Sequence, residues 1–148
     1  MQANTIKLHR VFKTNPDKVY KALLDPAAMC KWLPPNGFTG TVHHSDVRVG
    51  GSYKMSFTNF GKDQVHSFGG EYLELVPGER IVHTDKFDDA NLPGEMKTTI
   101  EFKKVMMGTD VNITQEGVPA AIPAEACYLG WQESLNLLAL LVEADIPA

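Results

Sequence analysis

Long apolar runs, clusters of one charge and closely spaced cysteines are all missing from this chain of 148 residues. The longest apolar run of the last helix candidate, Leu137 to Val142, falls far short of the about 20 residues that a membrane-spanning helix needs. There is no basic run, and 14 Lys plus Arg stand against 18 Asp plus Glu, a net charge of −4. That balance lacks the footprint of a phosphate-backbone binder and disfavours nucleic acid as a partner. Cys30 and Cys127 lie far apart with no CxxC spacing. The opening Met1-Gln2-Ala3-Asn4-Thr5 has no charged region followed by an apolar stretch, so it does not read as a secretory signal. The two cysteines then read as free, buried thiols of a cytoplasmic protein. Neither GxGxxG nor GxxxxGK followed by Ser or Thr occurs, and HExxH and GxSxG are absent too. The common nucleotide-binding and hydrolase motifs therefore fail, and no cofactor is implied.

What is present fits one ordinary globular domain, residues 1–148. Hydrophobic residues make up 43% and charged residues 22%, which disfavours disorder and coiled coil. Ile6 to Phe12 begins as an alternating strand candidate. Asn15-Pro16-Asp17 then reads as helix entry, with Asn15 as N-cap and Pro16 at the first helical position. Asp25-Pro26 breaks that helix, and a second runs from Ala27 to Leu33 before the stop Pro34-Pro35-Asn36-Gly37. Six strands follow at about Phe38–Val47, Ser52–Asn59, Val65–Leu75, Arg80–Phe87, Glu95–Lys103 and Thr109–Glu116. Short turns at near-even spacing predict an antiparallel meander. Tyr53, Met55 and Phe57 alternate with Lys54, Ser56 and Thr58, and Thr98, Ile100 and Phe102 with Thr99 and Glu101, so one face of the sheet is covered. A last helix is predicted from Ala124 to Glu143, with Cys127, Tyr128, Leu135, Leu138 and Val142 within about 60° of Trp131 on the wheel.

Several segments carry a family resemblance. They include Ile6-Lys7-Leu8-His9-Arg10-Val11-Phe12 with Pro16 and Asp25-Pro26, then Trp32, Pro34 and Gly37-Phe38-Thr39. Asp46 to Tyr53, Gly70-Glu71-Tyr72-Leu73-Glu74-Leu75, Gln115 to Pro119 and Gly130-Trp131 continue it in order. Nearly the whole chain thereby resembles the activator of heat shock protein 90 ATPase homologue family, C-terminal-domain-like, of the START-like (SRPBCC) superfamily. The resemblance implies an α+β helix-grip fold, a curved antiparallel sheet of about seven strands around the long C-terminal helix. It also implies a mostly apolar cavity between sheet and helix. The co-chaperones of the family carry a further N-terminal domain. This chain starts at the first strand, which weighs against co-chaperone activity.

Each candidate for chemistry has a plain alternative. His43, His44 and Asp46, with His66 and His83, could suggest a metal site, but His43 points away from His44 and Asp46 on a strand and a third ligand must come from a neighbouring strand, so no metal is assigned. His83 and Asp85 share one strand face. On an apolar wall such a pair could orient a ligand or act as acid and base; near a strand end it could simply face solvent. Trp32 reads as core and Trp131 as cavity wall. The favoured function is an intracellular binding module for a small hydrophobic or amphipathic molecule, preferred over an enzyme. The ligand-binding walls are expected to be Met55, Phe57, Ile100, Trp131, Leu135 and Leu138, with His83 and Asp85 as the orienting polar groups. The alternatives are a small cyclase- or hydrolase-like enzyme using the same cavity and a co-chaperone-like regulator. Leu129, Leu137 and Leu140, on the far side of the last helix, motivate a homodimer.

Overall fold

Two side-chain caps start the helices that follow the first strand. Asn15 Oδ1 accepts from the Lys18 amide at 2.9 Å and opens α1 (Pro16–Leu24), with Pro16 in the first turn. Asp25 ends α1 and opens α2 (Pro26–Trp32), its Oδ1 accepting from the Ala27 and Ala28 amides at 2.9 and 3.2 Å. The predicted start at Ala27 thus moves back one residue, because Pro26 fits the first helical position. These contacts come from a computed structural model that describes residues 4–147.

Around these helices the chain forms β1 (Asn4–Phe12), β2 (Phe38–Ser45), β3 (Ser52–Asn59), β4 (Val65–Val76), β5 (Arg80–Phe87), β6 (Met96–Val105) and β7 (Gly108–Val118). All pair antiparallel in one sheet of order β1-β7-β6-β5-β4-β3-β2. The last helix, α3 (Ala124–Val142), touches β1, α2 and α1, and α2 also rests on β2. This is the curved-sheet, α+β helix-grip arrangement expected from the sequence. β2 stops at Ser45 because the chain turns, with the Asp46 amide donating to the Ser52 carbonyl at 2.9 Å and Arg48 Nε donating to Asp46 Oδ2 at 2.8 Å. A bulge between Val42 and His44 disrupts the simple alternation assumed for His43, His44 and Asp46.

The main core joins Phe12, Val19, Trp32, Met55, Ile100 and Leu138, and a smaller cluster joins Ile6, Met96 and Val118. Two glycines permit close approaches. A Cβ at Gly40 would lie 2.7 Å from Pro34 Cγ and 3.2 Å from Cys30 Cα, where α2 rests on β2. A Cβ at Gly70 would lie 1.7 Å from the Thr84 carbonyl oxygen, where β4 presses on β5. Of the three outward leucines, Leu129 and Leu140 are 59% and 67% exposed. Leu137 instead packs against the core, so the expected patch of three is reduced to two. Among the described residues no helix is long and apolar enough to cross a membrane.

Gly70→Ala forces the β4 backbone away from Thr84 and is expected to destabilise the protein by about 3 kcal/mol, the upper range for overpacking. Chemical denaturation measures this directly; a shift under about 1 kcal/mol would mean that β4 and β5 separate at little cost.

Candidate functional site

The covered face of the sheet and α3 enclose a cavity of about 300 Å³. Its walls are largely apolar: Leu23, Met29, Trp32 and Leu33 from the helical segment, Phe57, Phe68, Ile81 and Ile100 from the strands, and Gly130 and Trp131 from α3. Inward parity explains most of these positions, since alternate strand residues point to one face.

Across the apolar wall runs a row of polar residues created by strand register. Tyr72 pairs with His83, His83 with Thr98, and Thr98 with Gln115, directly opposite one another on β4, β5, β6 and β7. Polar contacts join His83, Thr98 and Gln115 of this row to Asp85, Tyr53 and Trp131 in a connected belt. Trp131 Nε1 donates to Gln115 Oε1 at 3.1 Å, and Gln115 Nε2 donates to Thr98 Oγ1 at 3.1 Å. Thr98 Oγ1 donates to Asp85 Oδ2 at 2.6 Å. Asp85 Oδ1 also accepts from the Tyr53 hydroxyl and lies 3.1 Å from His83 Nδ1. The belt thus ties α3 to β7, β6, β5 and β3.

Asp85 is 5% exposed and holds the centre of this belt. Burial alone would raise its pKa, but the His83 charge and hydrogen bonds from His83, Thr98 and Tyr53 outweigh burial and hold the carboxyl below its usual range. Burial would likewise lower the His83 pKa, yet the Asp85 carboxylate outweighs it and raises the imidazole above its usual value. Burial, followed by the Asp85 charge, pushes the Tyr72 phenol up to about 12 and holds the Tyr53 phenol well above its usual value. Both phenols are therefore neutral donors at physiological pH. Cys127 lines the cavity with its Sγ 3.5 Å from Gln115 Oε1, and burial pushes its thiol up, so it is no ready nucleophile. Cys30 and Cys127 are both free and half-buried, not fully buried as expected.

Of the predicted wall residues, Phe57, His83, Asp85, Ile100 and Trp131 line the cavity. Met55, Leu135 and Leu138 do not: Met55 and Leu138 are completely covered and Leu135 is 3% exposed, all within the main core. For Leu135 and Leu138 the reason is position along α3. Its first half, Cys127 to Ser134, faces the open space, and from Leu135 onward the apolar stripe packs solidly. Trp131 is half-buried because one side meets the cavity. Trp32, read as core, is 2% exposed with Nε1 donating to the Ala22 carbonyl at 2.8 Å, and it also reaches the cavity. Sequence reasoning missed Tyr53, Tyr72, Thr98 and Gln115 as site residues. The available signal was polar residues at inward parity, as in Thr98 beside Ile100 and Gln115 beyond Ile113. His43 lies outside the cavity, its Nε2 2.6 Å from Ser56 Oγ, and Asp46 pairs with Arg48.

The family model described as activator of Hsp90 ATPase homolog 1-like protein matches residues 13–143. The chain belongs to this family. Its fold matches the crystal structure of protein CV1439 from Chromobacterium violaceum with a TM-score of 0.95 and 60% identity, covering 96% of this chain and 99% of that one. A Rhodobacter sphaeroides protein shares the fold at TM-score 0.83 and 22% identity, covering 93% and 90% of the two chains. The AHSA1-like protein from Aeromonas hydrophila does so at 0.78 and 19%, covering 95% and 92%. No curated protein is similar enough to this chain to count as a match. Family membership accounts for the START-like frame, while the polar belt is described by this chain's own residues.

The coupled shifts of His83 and Asp85 set a pH window. His83 is raised, so its stabilisation is full below about pH 6.5 and fades as pH climbs through the raised value. Asp85 is lowered, so its stabilisation is present above about pH 4 and fades as pH falls through the lowered value. Asp85→Asn removes the charge and keeps the shape. Urea denaturation is expected to show a loss of about 3–5 kcal/mol between these limits, shrinking on either side. A loss independent of pH would contradict the ion pair.

Proposed function

We propose that the chain is an intracellular binding module for a small hydrophobic or amphipathic molecule, held between the sheet and α3. The observation that carries this reading is the 300 Å³ cavity itself, apolar over most of its wall and crossed by a single polar belt. Ligand pockets have this character, with a few placed polar groups fixing orientation within an apolar lining. Burying about 300 Å² of apolar ligand surface at about 25 cal/mol/Å² gives about 7–8 kcal/mol before association costs. Those costs bring the expected affinity to micromolar or weaker.

A second reading, chemistry in the same cavity, draws on His83 Nδ1 lying 3.1 Å from Asp85 Oδ1, an orienting contact also found in catalytic pairs. The co-chaperone reading draws on the family name alone. A homodimer through the exposed Leu129 and Leu140 is a separate proposal, which sedimentation at high concentration tests.

Gly130 gives the cavity reading its cleanest test. It lines the cavity, and a Cβ there meets nothing within 4 Å. Gly130→Leu should fill the open space while improving helix propensity by several tenths of a kcal/mol or more, about 0.5–1. With Prodan, a neutral naphthalene ketone whose emission reports polarity, wild type should bind and Gly130→Leu should bind at least about tenfold more weakly, with stability unchanged or higher. Equal binding by the two proteins would place the site elsewhere.

A further inference from the structure

Two polar atoms on the cavity wall have no partner among the described residues. His83 commits Nδ1 to Asp85 Oδ1 at 3.1 Å and to the Thr84 carbonyl at 3.3 Å, which leaves its Nε2 free. Tyr72 is 2% exposed, and its hydroxyl makes no hydrogen bond to a described residue. Every fully enclosed side-chain nitrogen or oxygen among the described residues has a partner. The Tyr72 hydroxyl and His83 Nε2 are therefore not fully enclosed, and both residues line the cavity. The two residues are directly paired across β4 and β5, with ring centroids 6.1 Å apart at an interplanar angle of 77°.

Charge decides what these atoms can hold. Among the described residues, Asp85 and His83 are the only carboxylate and the only imidazole on the wall, and no Lys or Arg lines the cavity. The pair is neutral as a unit, and Asp85 already accepts from Tyr53, Thr98 and His83. A ligand carboxylate would place a second negative charge in an apolar space with no further cation, which is costly. A hydrocarbon would leave both free polar atoms facing it without a partner, which costs as well. His83 Nδ1 lies 3.1 Å from the buried Asp85 carboxylate, which favours the imidazolium and with it a proton on Nε2, and Tyr72 is a neutral phenol. The wall thereby offers two donors side by side, and a carbonyl oxygen has two lone pairs to receive them.

We infer that the ligand is a small neutral carbonyl compound, its oxygen held between the Tyr72 hydroxyl and His83 Nε2 and its hydrocarbon body against Phe57, Phe68 and Ile100. The inference rests on the binding reading above and adds the chemical class of the ligand. It also sets aside free fatty acids, which share the apolar body but carry the wrong charge.

Three probes of one shape separate the possibilities: acetylnaphthalene, ethylnaphthalene and naphthoic acid, substituted at the same ring position. Titration against wild type, followed by Trp131 and Trp32 fluorescence at neutral pH, should rank the ketone about tenfold tighter than the hydrocarbon. Naphthoate should bind more weakly than the ketone by at least the same factor. Tyr72→Phe should cost the ketone most of its advantage and leave ethylnaphthalene unchanged, a pattern that general loss of structure would not produce. Naphthoate binding as tightly as the ketone would overturn the neutral-ligand inference. Equal binding of ketone and hydrocarbon to wild type would overturn the two-donor clamp while leaving the cavity reading intact. Failure of all three to bind would remove the cavity reading and the clamp together.

Discussion

A buried carboxylate is the constraint around which the site is arranged. Asp85 lies among apolar side chains, where an isolated charge would be prohibitively costly. It is tolerable because His83, Thr98 and Tyr53 converge on its two oxygens from β5, β6 and β3. Those strands must hold their register for the donors to arrive, so the carboxylate and the sheet stabilise one another. The chain continues through Gln115 to Trp131, which fastens α3 to the same belt. In this way a polar group fixes the distance between helix and sheet. The apolar space around the belt stays open along the first half of α3, and solid packing begins from Leu135 onward.

The same arrangement gives the cavity a direction. The strand register sets the Tyr72–His83–Thr98 row between the Ile81–Ile100 pair and the Phe68–Phe87 pair, so the polar groups are flanked by apolar wall. A purely apolar cavity would select by volume alone. This one adds oriented hydrogen bonds, and leaving such donors unmatched is what discriminates between ligands of equal size. Relatives at about 20% identity share the backbone frame, so the ligand must be argued from these side chains and not from the fold.

Much of the fold was legible because local signals agreed. Asn15-Pro16 and Asp25-Pro26 mark both short helices, and the turns at Gly50-Gly51, Pro77-Gly78 and Pro93-Gly94 bound strands with clear alternation. The site was legible only in part. Parity shows that His83 and Asp85 share a face with Ile81, but which residues stand opposite them depends on pairing across four strands, which no local pattern encodes. For that reason Thr98 and Gln115 do not stand out in the sequence as site residues. Met55, Leu135 and Leu138 were placed on the wall because a wheel or an alternation gives the face and not the depth. All three lie on the right face, at points where packing closes the space.

The protonation of His83 tests this account most directly, because the belt requires an ionised Asp85 beside a protonated imidazole. Nitrogen NMR of the folded protein across a pH titration reads both ring nitrogens. The account predicts a midpoint above the ordinary value of about 6.5, with both ring nitrogens protonated below it. A midpoint below that value, with an unprotonated Nε2 at neutral pH, would mean that burial dominates and that no ion pair organises the site.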